Sequence, residues 1–220
     1  MAPEAELRDA WLALDPPADP LPRLRQWLDE AHADRRIAEP DAATFATVDG
    51  DGRPSARIVL VRGLDVERGA ALFYTNRASR KGRALAAHPF ASLVFYWDGL
   101  ARQVRVEGPV ALASDAESDA YFASRHAESR LGAWASEQSE PIASRAELVA
   151  RYQAMETRFG DGSAAPRPPH WGGYRLWIER IELWVSRPHR LHDRVQWERT
   201  LTRDGGEFRG DAWRATRLMP

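Results

Sequence analysis

Beyond residue 41 this 220-residue chain breaks into short apolar runs, several of them closed by glycine or aspartate. That rhythm excludes a helical bundle and points to many short strands. Runs at 43–48, 56–62, 70–75, 90–97 and 103–110 read as five strands. Asp49-Gly50-Asp51-Gly52 after the first is a hairpin signal. The fifth alternates Val104 and Val106 with Arg105 and Glu107, so one of its faces is polar or solvated. A helical insert follows. Ser114 and Asp115 cap a helix at 116–125, and Ser144 caps another at 145–159 with Glu147 at capping-box spacing. Gly160-Asp161-Gly162 stops the second helix, and 163–169, with three prolines, is a loop. Strands resume at 174–185, 194–200 and 213–218, with Asp204-Gly205-Gly206 as a turn. Five strands, a helical insert and three strands predict a mainly β protein: a closed or nearly closed antiparallel barrel with helices outside.

Residues 1–40 read as a peripheral, partly flexible segment, and 41–220 as one domain. Two amphipathic pieces, 4–14 and 24–33, flank the proline-rich stretch 15–20. The chain is long enough to bury a good core. Its 31 basic and 32 acidic residues leave a net charge of −1, so no global field draws in nucleic acid. An anion must be met by locally clustered cations. The absence of cysteine excludes disulfides and fits a cytoplasmic location. Met1-Ala2-Pro3-Glu4 lacks the basic start and apolar core of a signal peptide, and no apolar run approaches the ~20 residues needed to span a bilayer.

Only one of the 31 basic residues, Lys81, is a lysine. A compact ammonium and a planar guanidinium bind phosphate differently, so a lysine kept in an arginine-rich chain is a candidate for a specific need. A single lysine must also fall somewhere, and the count alone does not separate these readings. Its neighbourhood does. The strand at 70–75 runs into Ser79-Arg80-Lys81-Gly82 and a helical stretch to His88. A strand feeding a helix start that carries a hydroxyl and two cations is a plausible phosphate seat.

Other clusters are less decisive alone. Arg57-Ile58-Val59-Leu60-Val61-Arg62 has a cation at each end, but their odd separation sends them to opposite faces unless a bulge intervenes. It also reads as an ordinary barrel strand. Tyr121 and Arg125 share a helix face, as surface pairs often do. Arg190-Leu191-His192-Asp193-Arg194 gathers two arginines, a histidine and an aspartate six residues beyond Trp184, and equally describes a solvated turn. His189 and His192 lack a third ligand nearby, so no metal is expected. Nine tryptophans suit either a core or a site that stacks on a flat ring. Nucleophile elbow, glycine-rich dinucleotide turn and phosphate-binding loop are all absent from the sequence. Spacing and composition reach a barrel with several candidate anion-binding arginines and no assigned reaction.

Taken in order, these clusters resemble the pyridoxine/pyridoxamine 5′-phosphate oxidase family from about residue 39 to 220. The similarity rests on the strand Arg57 to Arg62, Phe73-Tyr74-Thr75-Asn76, Ser79-Arg80-Lys81, Arg102-Gln103-Val104 and Tyr121-Phe122-x-Ser124-Arg125. It continues through Gly132-Ala133-Trp134-Ala135-Ser136-x-Gln138-Ser139, Trp171-Gly172-Gly173-Tyr174, the 190–194 cluster and the closing Arg217-Leu218-Met219-Pro220. Each motif is short; their joint order and spacing are specific. The resemblance implies an FMN-binding split β-barrel with peripheral helices, a homodimer with FMN at the subunit interface, and oxidation of pyridoxine or pyridoxamine 5′-phosphate to pyridoxal 5′-phosphate. O2 would be the acceptor and H2O2 the by-product. By motif, FMN would be held by Arg57, Ile58, Val59, Leu60, Val61 and Arg62, by Tyr74, Thr75, Arg80, Lys81 and Gln103, and by Gln138, Ser139, Trp184 and Arg194. Some of these would come from the partner subunit. The substrate would meet Arg62, Tyr121, Arg125 and Ser129, with Arg190, Leu191 and His192 over the carbon to be oxidised; Arg190 and His192 are the expected catalytic pair. Three positions depart from the family: Arg62, usually lysine; His126, commonly proline; and Arg130, often glutamine. The alternatives are a related flavin oxidase acting on another substrate, such as a phenazine precursor, and a non-enzymatic flavin, pyridoxal-phosphate or RNA binder.

Overall fold

The computed structural model describes residues 9–220. Two helices come first, α1 (Ala10–Leu14) and α2 (Leu21–Ala33). Then follow β1 (Ala42–Val48), β2 (Pro54–Asp65), β3 (Ala70–Asn76), α3 (Arg80–Ala87), β4 (Phe90–Trp97) and β5 (Arg102–Leu112). The helical insert is α4 (Asp115–Ser124), α5 (Ala127–Ala135) and α6 (Arg145–Phe159). The chain ends with β6 (Trp171–Trp177), β7 (Arg180–Val185), β8 (Asp193–Glu198), β9 (Leu201–Asp204), β10 (Glu207–Gly210) and β11 (Arg214–Arg217).

The five expected strands before the insert become β1 to β5, and β4 keeps its sequence-derived bounds. All their pairings are antiparallel. β6 pairs with β3 along its length and returns to β5 at Val110, Ala111 and Leu112, closing β5-β4-β1-β2-β3-β6 into a six-stranded barrel. The first part of β5, Arg102 to Glu107, pairs instead with β7, which continues to β8 and β11. The sheet therefore splits within β5, and Gly108 sits at the split. A Cβ there would lie 1.8 Å from the Trp177 carbonyl oxygen, so only glycine admits the crossing strand.

The core fills the barrel with Phe45, Phe73, Leu93, Val104, Leu176, Ile181 and Trp197, all essentially inaccessible to water. Residues 9–33 belong to this core, which corrects the expectation of a peripheral segment. Leu12, Leu21, Leu24, Trp27, Leu28 and Ala31 are buried in the same cluster. A buried ion pair joins Asp9 to Arg102, 2.8 Å from Oδ2 to Nε, and Trp27 donates to Asp9 at 3.0 Å. The amphipathic spacing was legible; that its apolar face packs on the barrel was not. Residues 1–8, including the start of the expected 4–14 piece, lie outside the described residues.

Three further expectations change. The run 174–185 is two strands, because the chain turns at Ile178 and Glu179 and exchanges neighbours there, bonding to Gly69 and Glu107. The buried positions change phase at the corner, from Tyr174, Leu176 and Ile178 to Ile181, Leu183 and Val185, and that shift at Glu179-Arg180 was the available signal. The Asp204-Gly205-Gly206 turn carries a separate hairpin, β9–β10, and the preceding strand stops at Glu198. Helix α5 was missed because His126 at its N-cap makes no side-chain cap bond, leaving no start signal.

α4 positions much of the site, and its start is a full capping box. Ser114 Oγ accepts from the Glu117 amide at 3.2 Å, and Glu117 accepts from the Ser114 amide at 3.1 Å. Ser114→Ala is expected to cost about 1 kcal/mol, lowering the thermal midpoint by about 2–4 °C for a domain of this size. Calorimetry checks this; an unchanged midpoint would mean that packing alone holds the helix start.

Candidate functional site: an anion-binding cleft on the barrel wall

A cleft of about 840 Å³ opens between the outer faces of β2 and β3, the start of α3, the α4–α5 junction and residues 136–138. Ile58, Val59, Leu60 and Arg62 line it, as alternation expects for all but Val59, which also packs against the core, while Val61 points fully into the core. Val61 is therefore no side-chain contact of the cleft. Arg57 and Arg62 do face opposite ways. Arg57 lies over its cross-strand partner Phe45, and the register shift falls between Val61 and Gly63, too late to unite them. Ile58 is 62% exposed, an apolar side chain held open beside charged neighbours.

One end of the cleft is built around Lys81. Ser79 caps α3 by accepting from the Gly82 amide, which turns the first helical residues toward the barrel. Gly82 is required there, since a Cβ would meet the Arg77 carbonyl oxygen at 2.0 Å. Lys81 is only 9% exposed, and its ammonium donates to Gln138 Oε1 at 2.6 Å, Thr75 Oγ1 at 3.1 Å and Ser79 Oγ at 3.3 Å. Burial, aided by the nearby Arg57 charge, pulls its pKa down from 10.5 to about 8. Arg57 is likewise lowered, by burial and then by Arg80, and donates to Thr47, Ser55 and the Phe45 carbonyl. Among the described residues no carboxylate bridges to Lys81 or Arg57. A buried ammonium, with a partly buried guanidinium behind it, both held only by neutral groups, forms a seat for an anion. Arg80 stands outside it, exposed and paired with Asp49 at 3.5 Å.

The other end is built around Arg125. Its guanidinium stacks on Trp171 at 4.9 Å and Phe122 at 5.5 Å. Its Nη1 is buried without a hydrogen-bond partner, and burial lowers its pKa, with Arg130 and Arg62 acting in the same direction. Tyr121, Ser129 and His126 line the same region. Between the two ends lies a column of rings. Tyr74 and Tyr121 stack at 3.9 Å and 10°, and Trp171 lies nearly parallel to both. Gly173 makes room for the Tyr74 ring, which a Cβ would approach to 2.8 Å. Trp171 was quoted in a motif without a role; the glycine pair after it was the available signal of a crowded backbone.

The remaining expected residues gather elsewhere. Gln103, Trp184 and Arg194 are successive cross-strand partners on β5, β7 and β8, so they form a row across that sheet. Arg194 is bound to Glu182, at 2.9 Å from Nε to Oε1. His192 packs against Trp184 at 4.6 Å and accepts from the Arg187 amide at Nδ1. The neutral ring then carries its proton on Nε2. His189 and Arg190 both adopt left-handed φ, 58° and 63°, a strained turn that presents Arg190 and the 68% exposed Leu191 outward. Ser139, also left-handed at φ 79°, is exposed and does not line the cleft, although Gln138 does. One chain thus carries two separate halves: a cationic cleft, and a ladder with a strained turn.

A closed six-stranded barrel whose sheet splits to carry further strands is the FMN-binding split-barrel fold. It is shared with a pyridoxamine 5′-phosphate oxidase-related, FMN-binding protein of Nostoc punctiforme, with a TM-score of 0.66 at 18% identity. The structure of PhzG from Burkholderia lata, in complex with tetrahydrophenazine-1-carboxylic acid, matches at TM-score 0.80 and 34% identity, covering 94% of this chain and 95% of that one. The protein is thus a flavin-type oxidoreductase of split-barrel architecture. The family model for pyridoxamine 5′-phosphate oxidase matches residues 28–159, and that for the pyridoxine 5′-phosphate oxidase C-terminal dimerisation region matches 171–220. Proteins named pyridoxine/pyridoxamine 5′-phosphate oxidase are similar over almost the whole chain. The one from Burkholderia multivorans is 54% identical, covering 94% of this chain and 91% of its own length. One from Ralstonia nicotianae is 55% identical, covering 92% and 89%. The chain belongs to the pyridoxamine 5′-phosphate oxidase family. Among the described residues no helix is long and apolar enough to cross a membrane.

Proposed function

We propose that the protein is an FMN-dependent oxidase that converts pyridoxine 5′-phosphate and pyridoxamine 5′-phosphate to pyridoxal 5′-phosphate, with O2 as acceptor and H2O2 as by-product. The observation that carries this reading is that one cleft holds two desolvated cations without a carboxylate partner among the described residues: Lys81, with Arg57 behind it near enough to lower its pKa, and Arg125 with its unpaired Nη1. A phosphate carries about −1.5 to −2 charges at neutral pH. Two phosphorylated heterocycles need two such seats, and the ring column between them supplies flat apolar surface.

The cofactor's chemistry, when bound, is to take a hydride from the substrate's C4′ and pass the electrons to O2. The residues bind, orient and exclude water. Lys81, backed by the charge of Arg57, neutralises the cofactor phosphate beside Thr75 and Gln138, Arg80 joins them by leaving Asp49, and Ile58 and Leu60 give an apolar wall. Arg125, Tyr121, Ser129 and Arg62 hold the substrate phosphate. We assign the second half of each site to a partner subunit: Gln103, Trp184 and Arg194 along the cofactor, Arg190, Leu191 and His192 over the substrate. The match of residues 171–220 to a dimerisation region supports a homodimer. Orientation of the two rings then supplies much of the rate.

The test is an absorbance spectrum of the purified protein before and after anaerobic addition of pyridoxine 5′-phosphate. Bleaching of the flavin band is expected, followed by O2 uptake on admitting air. A colourless protein that ignores added FMN overturns the proposal. The likeness to PhzG favours a second reading, a phenazine-precursor oxidase. The phosphate-type seat of Tyr121, Arg125 and Ser129 speaks for the first, and relative turnover of a dihydrophenazine and the vitamer phosphates separates them. Arg190→Ala is expected to lower turnover by about tenfold or more while FMN affinity changes much less, because it removes a charge-assisted contact to substrate alone. Equal losses in both would place Arg190 at the cofactor instead.

A further inference from the structure

Among the described residues Arg62 is the one cation lining the cleft that is tied to a carboxylate, and the tie leads out of the cleft. Its Nη1 lies 3.2 Å from Asp41 Oδ2. The other carboxylate oxygen, Oδ1, is 2.9 Å from His32 Nε2 on α2. Asp41 immediately precedes β1, and its carbonyl accepts from the Val61 amide at 2.9 Å, so backbone pairing with β2 fixes it beside Arg62. The contrast with the rest of the cleft is sharp. Among the described residues Arg125 has no salt-bridge partner, and Arg62 is near enough to help lower its pKa. Asp41 thus neutralises half of an otherwise like-charged pair.

We propose that Asp41 is a specificity-determining positioning residue: it restrains Arg62 on the cleft wall and competes with the substrate's anionic group for that guanidinium, with His32 holding the carboxylate in register. An incoming anion must displace or share the Arg62 fork. The competition screens ligands by charge. A dianion of phosphate type recruits Arg62 away from Asp41 more effectively than a monoanionic carboxylate, because it gains more from two adjacent guanidinium groups. This rests on the reading that Arg62 meets the substrate.

The experiment uses the flavin-loaded protein, so that the other seat is filled. Asp41→Asn keeps the shape and removes the charge. KM for pyridoxine 5′-phosphate is expected to fall by about two- to fivefold, the range for a partly exposed ion pair that no longer competes, with a smaller change in kcat. The dissociation constant of inorganic phosphate, measured by calorimetry, should tighten by the same factor, while that of acetate tightens less. Asp41→Glu restores the charge and should restore weak phosphate binding. In an Arg62→Gln background the substitution at Asp41 should have no further effect. Unchanged phosphate affinity in Asp41→Asn, with the protein folded and flavin-replete, overturns the role of Asp41. Phosphate binding reads this outcome even for an enzyme that ignores vitamer phosphates. That last result, with phosphate tightening intact, would instead sink the assigned substrate and leave the Asp41 restraint standing.

Discussion

Lys81→Met is expected to weaken FMN binding by about 10- to 150-fold, the equivalent of one charge-assisted hydrogen bond of roughly 1.5–3 kcal/mol. The ammonium is buried against three neutral oxygens and lacks a carboxylate partner, so it is poised for an anion rather than for the fold. The pH dependence has a definite sign. In the flavin-free protein its pKa lies at about 8, below the ordinary 10.5. Between those values the unfolded chain holds a proton that the folded chain does not, so stability rises with pH across that window. Methionine at position 81 should abolish that rise. A bound phosphate stabilises the charged form, so FMN affinity should fall as pH climbs above about 8. Flavin content after dialysis at pH 7 and pH 9, with fluorescence titration, checks both statements. Equal flavin retention by wild type and variant would remove the phosphate seat from this end of the cleft.

Arg125→Met is expected to raise KM for the vitamer phosphates by about 100-fold, as a partly buried cation is lost from the substrate seat. Stability should move the other way. The unpaired Nη1 costs about 1–3 kcal/mol, and its stacking on Trp171 and Phe122 returns about 0.5–2 kcal/mol. Methionine fills similar space without the charge, so a gain of about 1 kcal/mol is predicted by denaturant unfolding. Loss of activity with increased stability is the signature of a group kept for its ligand. A large destabilisation would make Arg125 a structural cation. A KM near wild type would move the substrate phosphate elsewhere.

Much of the site was legible because its parts are local. The lone lysine beside a serine cap, the strand ahead of it, and the helix that carries Tyr121 are short-range patterns; Arg125 lies just past the end of α4 in extended backbone, so its place beside Tyr121 does not follow from the helical spacing the sequence suggested. Ile58, Leu60 and Arg62 follow from alternation, which equally sends Val61 inward. Trp171 escaped assignment, since a tryptophan in a strand reads as core until its neighbours are known. Asp41 escaped for the same reason: nothing in Glu39-Pro40-Asp41 says that its carboxylate reaches Arg62 across a strand pair.

The five strands before the insert, the two capped helices within it and the turns at Asp49-Gly50 and Asp204-Gly205-Gly206 were set by the sequence alone, since each depends on residues within a few positions of one another. Tertiary structure alone decided that β5 serves two sheets, that α2 belongs to the core, and that Lys81 and Arg125 share a cleft while Gln103, Trp184 and Arg194 stand apart. Those facts depend on strand pairings between residues tens of positions apart. Apolar burial and backbone hydrogen bonding select such pairings only once the whole chain is collapsed.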